Sequence, residues 1–172
     1  MKILYAVLAL FLSLNLQLSA QTEKADIEKL VKSQNFVFTA TRANPMSESS
    51  LNQIVGPVAI NNILDLTGQR YSLQVTKESI TADLPYFGRA YSAPMNTDNT
   101  GTKFTSEDFT YSTTKKKRNW IITIEPKDIQ DSQKLILRVS ESGSATLNVN
   151  NYNRQAISFE GYISEIKTSD RN

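Results

Sequence analysis

The chain of 172 residues contains no cysteine and no histidine. Without cysteine there are no disulfide staples, no thiolate metal ligands and no thiol for a lipid to be attached to after export. Without histidine the usual general base near neutral pH is gone, together with the Ser-His and Cys-His nucleophile pairs and the commonest zinc ligand. A metal would have to be held by carboxylates, which suit calcium or magnesium. Charge is also scarce. Setting aside Lys2 in the leader described below, 18 basic residues face 17 acidic ones. So small an excess creates no field that would gather nucleic acid or an anionic membrane surface. There is no internal repeat and no low-complexity tract.

Long apolar runs are missing except at the start. Lys2 precedes an apolar stretch from Ile3 to Leu14, which fades through Asn15 and Gln17 into Leu18-Ser19-Ala20. A charged start, an apolar stretch and a small residue at the cut predict a secretory signal peptide over residues 1–20. The run is shorter than the roughly 20 apolar residues that span a bilayer. Cleavage after Ala20 leaves residues 21–172 as a single domain, periplasmic or secreted, with no membrane span and a length that suits one core. At that size disulfides are not needed for stability.

One segment carries a helical period. From Thr22 to Ser33, Ile27, Leu30 and Val31 fall on one face, while Lys24, Glu28 and Lys32 lie elsewhere, and Asn35 is the expected stop. So narrow a stripe suits a helix lying against a sheet. The period then becomes two. Phe36, Phe38 and Ala40 alternate with polar residues until Asn44-Pro45, which is expected to break the strand. Residues 46–70 are irregular, and Ile60 to Leu66 fits a strand or a short helical turn equally well.

The remainder reads as strands: Tyr71 to Val75, Ile80 to Leu84, Phe104 to Tyr111 as one strand, Trp120 to Ile124, Leu135 to Val139, Ala145 to Val149, and Ile157 to Ile163. Leu135-Leu137-Val139 and Ala145-Leu147-Val149 flank Glu141-Ser142-Gly143-Ser144 and form the clearest hairpin. Consecutive strands on short connections favour an antiparallel meander, and closure into a barrel removes the exposed edges that an open sheet would present.

Chemical motifs are sparse. Ser112-Lys115 and Ser164-Lys167 fit S-x-x-K, but in an extended strand residues three apart face opposite ways. The companion motifs of Ser-Lys enzymes are absent. Residues Asn96 to Glu107 place Gly101 and Glu107 where a calcium loop has its Gly and Glu, yet the same residues suit a polar hairpin loop. Adjacent Glu107 and Asp108 on a strand would point apart and could not flank one glycosidic bond. Lys115 to Arg118 reads as a solvated hairpin tip that guards an edge. No catalytic residue, cofactor or metal site is therefore assigned. The remaining signal is aromatic: Tyr86, Tyr91 and Trp120 have the character of ligand contacts inside a barrel. Arg89, set among aromatic and apolar neighbours, calls for an acceptor or an aromatic face, as a latch or a ligand contact.

Several blocks resemble a known family. Asn35-Phe36-Val37-Phe38, Asn44-Pro45, Leu84-Pro85-Tyr86-Phe87-Gly88-Arg89-Ala90-Tyr91-Ser92-Ala93-Pro94, Lys103-Phe104-Thr105-Ser106 and Asn153-Arg154-Gln155-Ala156-Ile157-Ser158-Phe159 are similar to the family catalogued as domain of unknown function 4251, exported proteins of Bacteroidetes-type bacteria. The similarity covers nearly all of the mature chain, with a departure from Ser47 to Gln69. It implies a lipocalin-like β-barrel and brings no activity, cofactor or catalytic residue. Two functions follow as expectations. The first is an exported barrel binding a small apolar or amphipathic ligand through Tyr86, Arg89, Tyr91 and Trp120. The second is an envelope structural or protein-interaction module with a solid core.

Overall fold

The computed structural model describes residues 25–46, 56–88, 90–91, 101–129 and 133–166. The expected leader and its cleavage point lie outside them, as do Arg89 and residues 96–100 of the calcium-loop motif.

Helix α1 covers residues 25–33 and buries Ile27, Leu30 and Val31, the stripe expected from the spacing. Its last residue is Ser33, and Gln34 rather than Asn35 ends it. Gln34 adopts a left-handed φ of 52°, its N–H donates to the Val31 carbonyl, and the Asn35 N–H reaches back to that of Leu30. That is the Schellman pattern, which satisfies carbonyls left over at a helix end.

The strands are β1 (Phe36–Pro45), β2 (Ser72–Val75), β3 (Ile80–Leu84), β4 (Thr102–Ser106), β5 (Phe109–Lys116), β6 (Asn119–Pro126), β7 (Gln133–Ser140), β8 (Ser144–Asn151) and β9 (Arg154–Ser164), with helix α2 (Pro57–Leu64) between β1 and β2. They form one antiparallel sheet in the order β4-β3-β2-β1-β9-β8-β7-β6-β5. Every pair of strands consecutive in sequence is hydrogen-bonded except β4 and β5, which are the two edges. Pairing of the last strand with the first brings the ends of the meander together, so the fold is a nearly closed nine-stranded barrel with its seam between β4 and β5.

Strand β1 continues through Asn44 to Pro45 instead of breaking there. A register shift against β9 between Ala40 and Arg42 moves the buried positions from Phe36, Phe38 and Ala40 to Ala43 and Pro45. A bulge does this by inserting one residue into the ladder. Proline is tolerated because β2 pairs only with Phe36 to Thr39 and the segment before it reaches only Ala40 to Arg42, so among the described residues nothing pairs with Pro45 on that side. Ile60 and Leu66 prove to belong to different structures. Ile60 lies in α2, which starts at Pro57 and keeps Ile60 and Leu64 in the core, whereas Leu66 follows the helix and donates its N–H to the Thr41 carbonyl.

The stretch expected as one strand from Phe104 to Tyr111 is two, β4 and β5, divided at Glu107-Asp108. The corner is capped by Asp128. Its carboxylate accepts the Ser106 hydroxyl, the Glu107 N–H at 2.9 Å and the Asp108 N–H at 3.2 Å. Neither residue belongs to a strand, so alternation has no bearing on this acidic pair. The hairpin between β7 and β8 has the expected register, with Leu135 opposite Val149 and Leu137 opposite Leu147.

The inner face is mostly apolar, with Thr102, Ser106 and Gln133 as its buried polar residues. Phe36, Phe38, Leu73, Val75, Ile122, Ile124, Leu137 and Phe159 retain 0% of their surface. A lumen beside these eight side chains would leave accessible area on them, and they have none; Phe104, Phe109 and Tyr111, on the edge strands β4 and β5, pack against the same core half-buried. The outward positions of the same strands carry Thr39, Gln74, Thr81, Lys103, Thr123, Lys134, Arg138 and Glu160. Apolar inside and polar outside is the inverse of a transmembrane barrel. Among the described residues no helix is long and apolar enough to cross a membrane.

Candidate functional site: the rim around the β8–β9 turn

The sequence-selected residues fall in two places. Trp120 is 3% exposed and points into the core beneath Lys115, whose ammonium stands 4.6 Å from the ring centroid. Lys115 also reaches Glu28 on α1 at 3.4 Å, while the Tyr111 hydroxyl donates to the Val31 carbonyl at 3.2 Å. These contacts fasten α1 over one end of the barrel. Hydrogen bonds from the Lys32 ammonium, first, and the Lys115 ammonium hold the Glu28 carboxyl below its usual range. Lys115 is thus a fastening for the helix rather than part of a free basic tip, and it does not approach Ser112, which lies on the opposite face of β5.

Tyr86 and Tyr91 lie elsewhere. Trp120 pairs with Val139, and Val139 with Ala145. Arg154 pairs with Asn151 six residues further along β8, about 20 Å at the usual rise per residue. It is to this far end that the segment after β3 attaches. The Tyr86 hydroxyl donates to the Gln155 carbonyl at 3.1 Å, and the Arg154 guanidinium sits 5.3 Å from the Tyr86 ring centroid while donating to the Gly101 carbonyl at 3.0 Å. Ala90 bridges Arg154, and the Tyr91 N–H reaches the Asn153 carbonyl at 2.8 Å. Burial pushes the Tyr86 phenol above its ordinary value, as it does that of Tyr111. A Cβ at Gly88 would stand 2.8 Å from the Tyr86 hydroxyl oxygen, so a larger residue there would shift the Tyr86 side chain. Tyr86 is therefore part of a latch that ties the start of β4 to the β8–β9 turn. Tyr91 is 71% exposed beside that turn.

The same turn borders a groove of about 630 Å³ lined by Thr110, Glu125, Pro126, Gln133, Asn150 and Tyr152, among others. Tyr152 is 87% exposed. Gln133 opens β7 on its inward side, keeps 9% of its surface, and its Oε1 has no hydrogen-bond partner. The charges along the groove are paired: Lys134 with Glu125 at 2.7 Å, and Lys127 with Asp108 at 3.6 Å. Glu125 raises the Lys134 ammonium above its ordinary value. Among the described residues no cluster of acidic side chains has the form of a metal site.

The neighbouring corner carries the strongest electrostatic perturbation. Hydrogen bonds from the Ser106 hydroxyl and the Glu107 and Asp108 amides hold the Asp128 carboxyl down at about 2, against an ordinary 3.8. A carboxyl with a lowered folded value contributes stability above its unfolded value and loses it as pH falls through the folded one. Stability from the corner should thus be complete above about pH 4 and disappear toward pH 2. Side-chain carboxyl NMR should place the Asp128 midpoint near 2. Asp128→Asn should flatten the acid limb of stability over that window, and a midpoint near 4 in the native protein would refute the cap.

Arg154 and Gln155 were visible only inside a family-like block, and nothing local announced that they receive Tyr86. Gln133 did leave a trace, as the polar first member of the inward series Gln133, Leu135, Leu137, Val139.

The described residues thus form a nearly closed antiparallel barrel around a mostly apolar core, with grooves at one end and on the outer face. The model of the family described as "Domain of unknown function (DUF4251)" matches residues 18–163, and the chain belongs to that family. A crystal structure of a DUF4251 family protein from Bacteroides eggerthii DSM 20697 has the same fold, with a TM-score of 0.52 at 16% identity over 84% of this chain and 88% of that one. No curated protein matches the chain.

Proposed function

We propose that the mature chain is an exported, non-enzymatic barrel, periplasmic or secreted, that works as an interaction module and engages its partner through its rims and outer face. The observation that supports this reading is the packed core: Phe36, Phe38, Leu73, Val75, Ile122, Ile124, Leu137 and Phe159 keep no accessible surface. A carrier of apolar molecules needs a cavity of about 300 Å³ or more. Trp120, one of the residues proposed to touch such a ligand, is packed under Lys115 and α1. The near-balanced charge supports a protein or envelope component as partner over nucleic acid.

Native mass spectrometry of the protein purified gently from its own envelope fraction tests this. The expected result is the bare mass of the folded mature chain, with any companion a macromolecule recovered by pull-down. A reproducible small apolar adduct, lost on denaturation and diminished in a folded Trp120→Ala variant, would restore the interior carrier.

A further inference from the structure

Strand β5 is paired on one side only. Its partner is β6, and among the described residues no strand covers its other side. The Asp108 carbonyl accepts the Lys127 N–H on the β6 side. Backbone groups along an antiparallel strand alternate between its two sides. Those of Thr110, Ser112 and Thr114 therefore serve β6, while those of Phe109, Tyr111, Thr113 and Lys115 point to the open side. Residues Ser112 to Lys116 are all exposed, so the far part of this edge is accessible. The other edge strand, β4, has only five residues.

An open edge is a template for a further strand, which proteins either guard or use. The charges at the two ends of β5 select the strand that fits. Glu107 and Asp108 precede it, and Lys116, Lys117 and Arg118 close it. All five are exposed, and among the described residues only Asp108 has an ion-pair partner, Lys127. A second β5 laid parallel would set cations against cations. Laid antiparallel, the acidic start of each copy meets the basic end of the other. The alternation also restricts the register, because Phe109, Tyr111, Thr113 and Lys115 must face one another across the open side. With a two-fold axis at Ser112, Tyr111 faces Thr113, Phe109 faces Lys115, and the Glu107-Asp108 corner comes beside Lys116 and Lys117.

We propose that two copies of this chain pair antiparallel through their β5 edges, with Glu107 and Asp108 of each copy against Lys116 and Lys117 of the other. Such a contact is isologous and closes on itself, so assembly stops at the dimer. The same cations repel a strand in the wrong direction, which makes the edge selective for its own copy. The proposal names a partner for the outer surface and to that extent rests on the reading above.

The test is sedimentation velocity of the full mature protein from micromolar to millimolar concentration, with amide hydrogen exchange at both limits. The chain should pass from monomer to dimer, and the Tyr111, Thr113 and Lys115 amides should exchange more slowly in the dimer. Glu107→Lys and Lys117→Glu should each weaken the dimer about tenfold, because two-fold symmetry turns two attractions into repulsions at once. Mixing the two variants in equal amounts should restore it, since each then meets its opposite charge. Thr113→Pro removes an N–H on the open side and spares the β6 ladder, so it should abolish the dimer in a chain that still melts cooperatively. A chain that stays monomeric at millimolar concentration would overturn the proposal, as would a dimer indifferent to both charge reversals or not rescued by mixing them. An acidic extended peptide that protects the β5 amides of a monomeric chain would assign the edge to another protein and overturn the second copy. None of these failures adds a small apolar mass to the chain, which is how the outer-surface reading itself fails.

Discussion

Gly161→Ala is expected to be among the most destabilising single-atom additions this chain can receive. Gly161 lies in β9 opposite Ala40 of β1 and Ala145 of β8, where the last strand closes on the first. A Cβ there would overlap the Thr39 carbonyl oxygen, and would stand 2.9 Å from both the Thr39 carbonyl carbon and the Phe38 ring. The carbonyl is backbone held in the ladder, so no rotamer change relieves the clash. The Phe38 ring is itself fully buried. Overpacking a well-filled site costs about 1–3 kcal/mol. Gly161→Ala should lie at the top of that range, a large share of the roughly 5–15 kcal/mol that holds an ordinary domain together. Gly68→Ala is the control, since Gly68 has a φ of +81° but nothing within 4 Å of a built Cβ. It should pay only the left-handed backbone cost of about 1–2 kcal/mol. Denaturant midpoints compare the two, and equal losses would mean that the β1–β9 closure is not as tight as described.

Phe159→Ala should cost about 3–5 kcal/mol, the usual range for removing a fully enclosed phenyl. Phe159 lies opposite Ala43 and Leu147 and has no accessible surface. The size of the loss depends on what surrounds the ring. In a filled barrel the truncation opens a cavity whose walls cannot collapse, and the cavity cost adds to the transfer cost. In a hollow barrel the ring already borders empty space, and truncation only enlarges it. A loss below about 1.5 kcal/mol at unchanged denaturant slope would therefore speak for a hollow interior.

Much of the barrel could be read from the sequence because its strands advertise themselves locally. Leu135 to Val149 alternates cleanly around a glycine turn, and each residue fell on the expected side. The stripe of Ile27, Leu30 and Val31 likewise announced a helix lying on something apolar. What stayed hidden depends on distant partners. Pro45 reads as a strand breaker until the bulge at Thr41 is known, along with the lack of a described partner for Pro45 on the side away from β9. Phe104 to Tyr111 reads as one strand until Asp128, some 20 residues on, is seen to cap a corner at Glu107. The rim followed the same rule. Tyr86 stood out by its block, but its partner Arg154 carried no local signal. Tyr152 is an ordinary turn residue and Gln133 only the polar start of an inward series, and the fold alone sets them around one groove.

The claim on which the functional account rests is that the lumen is filled and that binding occurs outside it. Diffraction from a crystal of the mature protein pressurised with xenon tests this directly, because xenon occupies apolar voids. The account predicts no xenon among Phe36, Phe38, Leu137 and Phe159. An ordered xenon site within that ring of side chains would contradict it and return the ligand to the inside of the barrel.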